Sequence, residues 1–177
     1  MSEQPKSPKE LIEAGILKGR KALEELDKSG NYVYHGSPQK LHRLEPRQAH
    51  QFNPETGERK HDGEPAVAAA GNYDMAIFMA VLRGMGDKGK GDWSSFGRAP
   101  SSDKEKILFF KATKNMLDNA KDKKPIGYVH VFNKSEFEKH SGHDEWRAYT
   151  QVEPAYVVEV GVEDLPKDIE IVEPSVK

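Results

Sequence analysis

The sequence predicts a single α+β domain, and three observations carry that prediction. A punctuated amphipathic helix stands near the N-terminus, short strand-like and helical segments follow through the middle, and the C-terminal half is mostly short runs of β-branched and aromatic residues. A length of 177 residues fits one domain that buries most of its apolar surface. The mean hydropathy of −0.80 places that core among long, polar loops. Residues 1–30 read as an N-terminal helix packed on the domain and 31–177 as the domain itself.

The helix begins at Ser7-Pro8-Lys9-Glu10, a capping box with Ser7 as N-cap and Glu10 reaching back. Leu11, Ile12, Ile16, Leu23 and Leu26 form its stripe, and Ser29-Gly30 closes it. Tyr32-Val33-Tyr34-His35-Gly36-Ser37-Pro38 predicts a short strand stopped by Gly-Ser-Pro. Glu45 to Pro65 reads as a long surface loop, Ala66 to Ala70 as a small-residue strand, and Asn72 to Arg83 as a helix with Met75, Ile77, Phe78, Met79, Val81 and Leu82 as its apolar positions. Gly84 to Lys104 reads as a second long loop; two of this length in one small domain point to functional or disordered segments. Lys106–Thr113 predicts a strand buried on both faces, and Asn115–Lys121 a short helix. Strands follow at Gly127–Phe132, Glu145–Tyr149 and Ala155–Val162, with an edge strand at Ile169–Val172.

Composition excludes some chemistry. There are 27 Lys+Arg against 29 Asp+Glu, a formal net charge of −2, which argues against a sequence-blind nucleic-acid binder. The absence of cysteine removes disulfides, thiolate zinc sites and a Cys nucleophile. No apolar run approaches the roughly 18–20 residues of a membrane span, and MSEQPKSPKE lacks a signal-peptide core. The expectation is a soluble, cytoplasmic chain without a membrane partner.

Gly84-Met85-Gly86-Asp87-Lys88-Gly89 spells G-x-G-x-x-G, but it follows a helix and opens onto more Gly, Lys and Ser. A dinucleotide loop needs a strand before it and a helix after it, so this one reads as a flexible loop. His42, His50, His61, His130, His140 and His143 are scattered without a metal-ligand spacing and read as solvated loop histidines, so no metal site is expected. His35 differs, because it ends an aromatic strand beside a glycine that lets a ligand approach the backbone. It reads either as a structural histidine or as a pocket residue. Glu145 alternates with Arg147 and Tyr149 on a strand. That pattern fits a surface ion pair or an acid at the floor of a cleft.

Together these segments resemble the ADP-ribosyltransferase superfamily, in its diphtheria-toxin-like and poly(ADP-ribose) polymerase-like branch. Tyr34-His35-Gly36-Ser37 resembles the family's His-Gly-Ser/Thr strand, which binds nicotinamide. Val67-Ala68-Ala69 through Ala80 resembles its strand-helix segment; Asp74-Met75-Ala76-Ile77-Phe78 is also similar to the small rifampicin-modifying ADP-ribosyltransferases. Glu145-Trp146-Arg147-Ala148-Tyr149 and the strand at Tyr156–Val160 resemble the polymerase-type Glu-Tyr-x-x-Tyr strand and its successor. Order and spacing agree over roughly Tyr32 to Val162.

The resemblance implies a split antiparallel β-sandwich with flanking helices and a cleft for NAD, which is a substrate. It implies that His35 bonds an NAD ribose hydroxyl, that the Gly36 backbone pairs with the nicotinamide carboxamide, and that Ser37 completes the motif. Phe78 would sandwich the nicotinamide ring, and Glu145 would be the catalytic glutamate. The family's stacking tyrosine falls at Val67, a departure for which Tyr73 is the nearest substitute.

The implied activity is mono-ADP-ribosyl transfer to an acceptor that the sequence does not name: protein, nucleic acid, small molecule or water. A non-catalytic module binding NAD or ADP-ribose on the same fold is the alternative. A third is an RNA 2′-phosphotransferase, for which Arg43, Arg47, Arg98 and Arg147 are available but form no evident pair. Trp93 and Phe96 have the composition of an acceptor contact.

Overall fold

The structure, a computed structural model, describes residues 6–53, 55–100, 106–140 and 144–176. It is mixed α+β with mostly antiparallel pairing. Within the predicted N-terminal helix, the chain forms two. Helix α1 (Pro8–Glu13) has the expected capping box, in which the Ser7 N–H donates to Glu10 Oε2 at 2.7 Å and the Glu10 N–H donates to Ser7 Oγ at 3.3 Å. Gly15 then turns to φ +70°, Ile16 is left 65% exposed, and helix α2 (Gly19–Asp27) starts from Gly19 at φ +60°. Glycine is suited to both turns, and these two break the stripe that spacing alone joined.

Asp164 replaces a local cap for α2. Its carboxylate accepts from the Arg20 and Gly161 backbone N–H groups at 2.8 and 2.9 Å, and it occupies the space where a Gly19 side chain would begin. Ala22, Leu23 and Leu26 of α2 are buried in the main core with Tyr34, Val129 and Val158.

The remaining elements, in chain order, are β1 (Tyr32–Ser37), β2 (His50–Phe52), β3 (Arg59–His61), β4 (Val67–Ala70), α3 (Tyr73–Leu82), β5 (Ser94–Pro100), β6 (Lys106–Thr113), α4 (Lys114–Lys123), β7 (Gly127–Asn133), β8 (Glu138–Lys139), β9 (Glu145–Ala148), β10 (Tyr156–Val160) and β11 (Ile169–Val172). A six-stranded antiparallel sheet runs β10-β7-β1-β4-β9-β8, and a smaller sheet runs β11-β6-β5 with β11 parallel to β6. The segment expected as one surface loop contains the β2–β3 hairpin, while β5 lies inside the second expected loop. Strand β6 is one-sided: Phe110 and Ala112 are buried, whereas Ile107 is 61% exposed.

Helix α3 lies between the two sheets, which explains its apolar circumference. Ala76, Ile77, Ala80 and Val81 pack toward the large sheet; Met75, Phe78 and Leu82 join Phe110, Ala112 and Met116 of the small-sheet core. Its backbone approaches β1 and β7 so closely that a Cβ at Gly36 or Gly127 would collide with the carbonyls of Ala76 and Ala80. A third cluster, including Val33, Val67, Phe132 and Ala148, fills another part of the large-sheet core.

The glycine-rich segment is an ordered turn with a 3-10 stretch at Lys88–Lys90, where the Asp87 carboxylate caps the Gly89 N–H at 2.8 Å. Asp92 fastens this turn by accepting from Thr113 Oγ1 at 2.7 Å and Asn115 Nδ2 at 2.6 Å. No helix among the described residues is long and apolar enough to cross a membrane.

Candidate functional site

Strands β1 and β4 are in register only at Tyr34–Ala70. Beyond that pair β1 continues on β7, β4 continues on β9, and a cleft of about 360 Å³ opens where they part. Its lining comes from five elements: Tyr34 to Gly36 of β1, Ala68 to Ala70 of β4, Met75, Ala76 and Met79 of α3, Phe96 to Arg98 of β5, and Asp144–Glu145 at the head of β9. That volume falls among the ~300–1,000 Å³ of small-molecule sites.

His35 reaches across the parted strands. Its Nδ1 lies 2.8 Å from the Ala68 carbonyl, so Nδ1 carries the proton and Nε2 remains an acceptor. Burial pushes its pKa below the ordinary value; the bond to Ala68 opposes the shift, and Arg83 and Arg47 reinforce it. A neutral imidazole with an acceptor nitrogen suits a sugar hydroxyl. Glu145 sits opposite Ala70 in the β4–β9 register, with its side chain 33% exposed. The local pattern left its pairing with Arg147 open, and the structure excludes a surface pair. The Arg147 side chain is 5% exposed, with Nε 3.0 Å from Glu145 Oε1.

The other sequence-selected residues divide. Gly36 lines the cleft and also seats α3. Ser37 is buried at the end of β1, where its Oγ accepts from the Gln39 N–H at 3.1 Å, outside the lining. Phe78 is 2% exposed and packs against Phe96 and Phe110 with ring centroids 5.8 and 5.2 Å apart; it too lies outside the lining. Tyr73 stacks edge-on with Tyr34 at 6.0 Å and under Arg20, toward the N-terminal helices. Val67 is buried in the core and does not line the cleft. Besides His35, the aromatic residues in the lining are Tyr34, whose ring is buried in the main core and whose hydroxyl donates to Asp27, and Phe96. Trp93, expected beside it as an acceptor contact, donates from Nε1 to the Glu173 carbonyl at 2.9 Å.

Three features escaped the sequence reading. Arg98 donates from Nε and Nη2 to Asp144 Oδ2 at 3.1 and 2.8 Å, joining the small sheet to the head of β9 along the cleft wall. Arg147 also grips Asp62, just beyond β3, through its carbonyl and carboxylate. This pairing holds the Asp62 carboxyl below its usual range.

His130, read as a solvated loop histidine, is fully buried. It stands opposite His35 in the β1–β7 register, its Nε2 accepts from the Leu41 N–H at 2.9 Å, and its Nδ1 faces the His35 carbonyl at 3.3 Å. Burial lowers its pKa to about 4, so both of its bonds are those of a neutral ring. The Val129-His130-Val131 run was the available signal, since a central strand with apolar neighbours buries what lies between them.

His143 lies outside the described residues, and among those described no group of three or more His, Asp or Glu side chains could hold a metal ion. No protein-family model, curated protein or solved structure matches the chain.

Proposed function

We propose that the chain is an NAD-dependent mono-ADP-ribosyltransferase of the split-sandwich type, with the nicotinamide-ribose half of NAD in the cleft between β1 and β4. The observation that carries the reading is the meeting of His35 and Glu145. They stand 110 positions apart in sequence, were selected by separate motifs, and line one cleft of small-molecule size. The neutral His35 supplies a hydroxyl acceptor, Glu145 supplies a carboxylate, and Phe96 with the alanines of β4 supplies apolar walls for a flat ring.

In the proposed reaction the nicotinamide–ribose bond breaks and nicotinamide leaves with the bonding pair. C1′ of the ribose then carries oxocarbenium character, as in glycoside hydrolysis. Glu145, hydrogen-bonded to the ribose 2′-hydroxyl, stabilises the charge where it develops. An acceptor oxygen or nitrogen bonds to C1′ and releases its proton to solvent.

A second reading, a non-catalytic NAD or ADP-ribose binding module, is favoured by Val67. It stands in the stacking-tyrosine position, is packed in the core, and leaves the cleft without that ring. A proton NMR time course of NAD with purified protein separates the two. The enzyme reading expects free nicotinamide from wild type and a loss on the order of 10²–10³-fold for Glu145→Gln, the usual effect of removing one electrostatic stabiliser. Line-broadening of NAD without nicotinamide release supports the binding module, and neither signal rejects both.

A further inference from the structure

Glu145 is not held by its strand alone. Arg147, two residues on, donates from Nε to Glu145 Oε1 at 3.0 Å, from Nη1 to the Asp62 carbonyl at 3.1 Å and from Nη2 to the Asp62 carboxylate at 3.0 Å. A guanidinium this buried persists only if its donors are matched, and the fork shape allows it to bind two partners at once. Gly63 follows Asp62 at φ +70° and places its backbone over the guanidinium, where a Cβ would lie 3.0 Å from Nη1. The strand that carries Glu145 and the hairpin-bearing segment that carries Asp62 therefore meet on one side chain. Nothing in the local sequence links them, since Arg147 and Asp62 are 85 positions apart.

We propose that Arg147 is a positioning residue for Glu145 and that Asp62 anchors it, so that the seating of the β2–β3 segment sets the orientation of the reacting carboxylate. This rests on the reading of Glu145 as the group that holds the ribose 2′-hydroxyl. With Oε1 committed to Arg147, the second carboxylate oxygen is the one left for the hydroxyl. The carboxylate is then aimed before substrate arrives and needs no reorganisation during bond cleavage. A lysine at 147 would keep the charge but could not span Glu145 and both acceptors of Asp62.

The test compares kcat and KM for nicotinamide release in wild type, Arg147→Lys and Asp62→Ala, with Asp62→Ala also built on Glu145→Gln. Asp62→Ala still leaves Arg147 the Glu145 carboxylate and the carbonyl of residue 62 as acceptors, and thermal melting verifies that each variant is folded. Both single variants are expected to lose kcat on the order of 10- to 100-fold, as expected for a reacting group misplaced by about an ångström. KM for NAD changes little. In the Glu145→Gln background Asp62→Ala causes no further loss, because the carboxylate it orients is gone.

An unchanged kcat, an effect on KM alone, or an equal loss with and without the Glu145 carboxylate overturns the positioning role while the function stands. A wild type that releases no nicotinamide overturns the enzymatic function and this role together.

Discussion

His130 makes the stability of the fold depend on pH in a window that few other groups share. Its ring is fully buried and its pKa falls from 6.5 to about 4, while in the unfolded chain it titrates near the ordinary value. Above pH 6.5 both states are neutral and the His130 contribution is complete. As pH falls toward 4 the unfolded chain binds a proton that the fold refuses, so stability is lost. A shift from 6.5 to about 4 corresponds to about 3 kcal/mol, with a slope reaching ~1.4 kcal/mol per pH unit inside the window. Against a total of roughly 5–15 kcal/mol for a domain, that is measurable.

His130→Gln isolates the effect. Its amide oxygen and nitrogen can serve the Leu41 N–H and the His35 carbonyl without a titrating proton. His35, whose ring lies 6.1 Å away, is present in both proteins, so its own burial is common to the two curves. Urea unfolding between pH 7 and pH 4 should show wild type losing about 3 kcal/mol more than the variant. Parallel curves for the two proteins would refute the assignment of a buried, neutral His130.

Other outcomes follow from the same geometry. Phe78→Ala should cost about 3–5 kcal/mol by opening the small-sheet core, read as a fall in melting temperature. Phe96→Ala should cost less stability and raise the NAD dissociation constant severalfold, the effect of an aromatic contact worth ~0.5–1.5 kcal/mol; the reverse pattern would return the stacking role to Phe78. Gly36→Ala forces a side chain into the Ala76 carbonyl and should destabilise by about 1–3 kcal/mol or more, whereas an unchanged melting temperature would deny the close approach of α3 to β1. Arg98→Ala should cost no more than about 1 kcal/mol of stability, since the pair is partly exposed, while NAD binding weakens as the two walls lose their link. Titration calorimetry with NAD that gives wild-type affinity would contradict that part of the account.

The elements with strong local signals are legible in the sequence itself. The Ser7 capping box, the aromatic strand ending in His35-Gly36, the apolar helix after Asn72 and the strand around Val129 all stand where their residues predict. What was hidden depended on contacts between distant segments. Gly15 and Gly19 look tolerable inside a helix until both take positive φ, the second against Asp164.

Ser94–Pro100 has weak strand propensity and forms one by pairing with β6. An all-round apolar helix carries no stripe, so the face of Phe78 could not be read, and Phe96 took a place in the lining from an apparent loop. The convergence of His35 and Glu145 was legible only through resemblance. The Arg147–Asp62 and Arg98–Asp144 pairs were not legible at all, because each joins residues far apart in the chain.

The most direct test of the central claim is a crystal structure of the Glu145→Gln variant with NAD. The account predicts density in the cleft between β1 and β4, with the nicotinamide ribose within hydrogen-bond reach of His35 Nε2 and of the side chain at position 145, and the ring against Phe96. An empty cleft at saturating NAD, or NAD bound elsewhere on the protein, would contradict it.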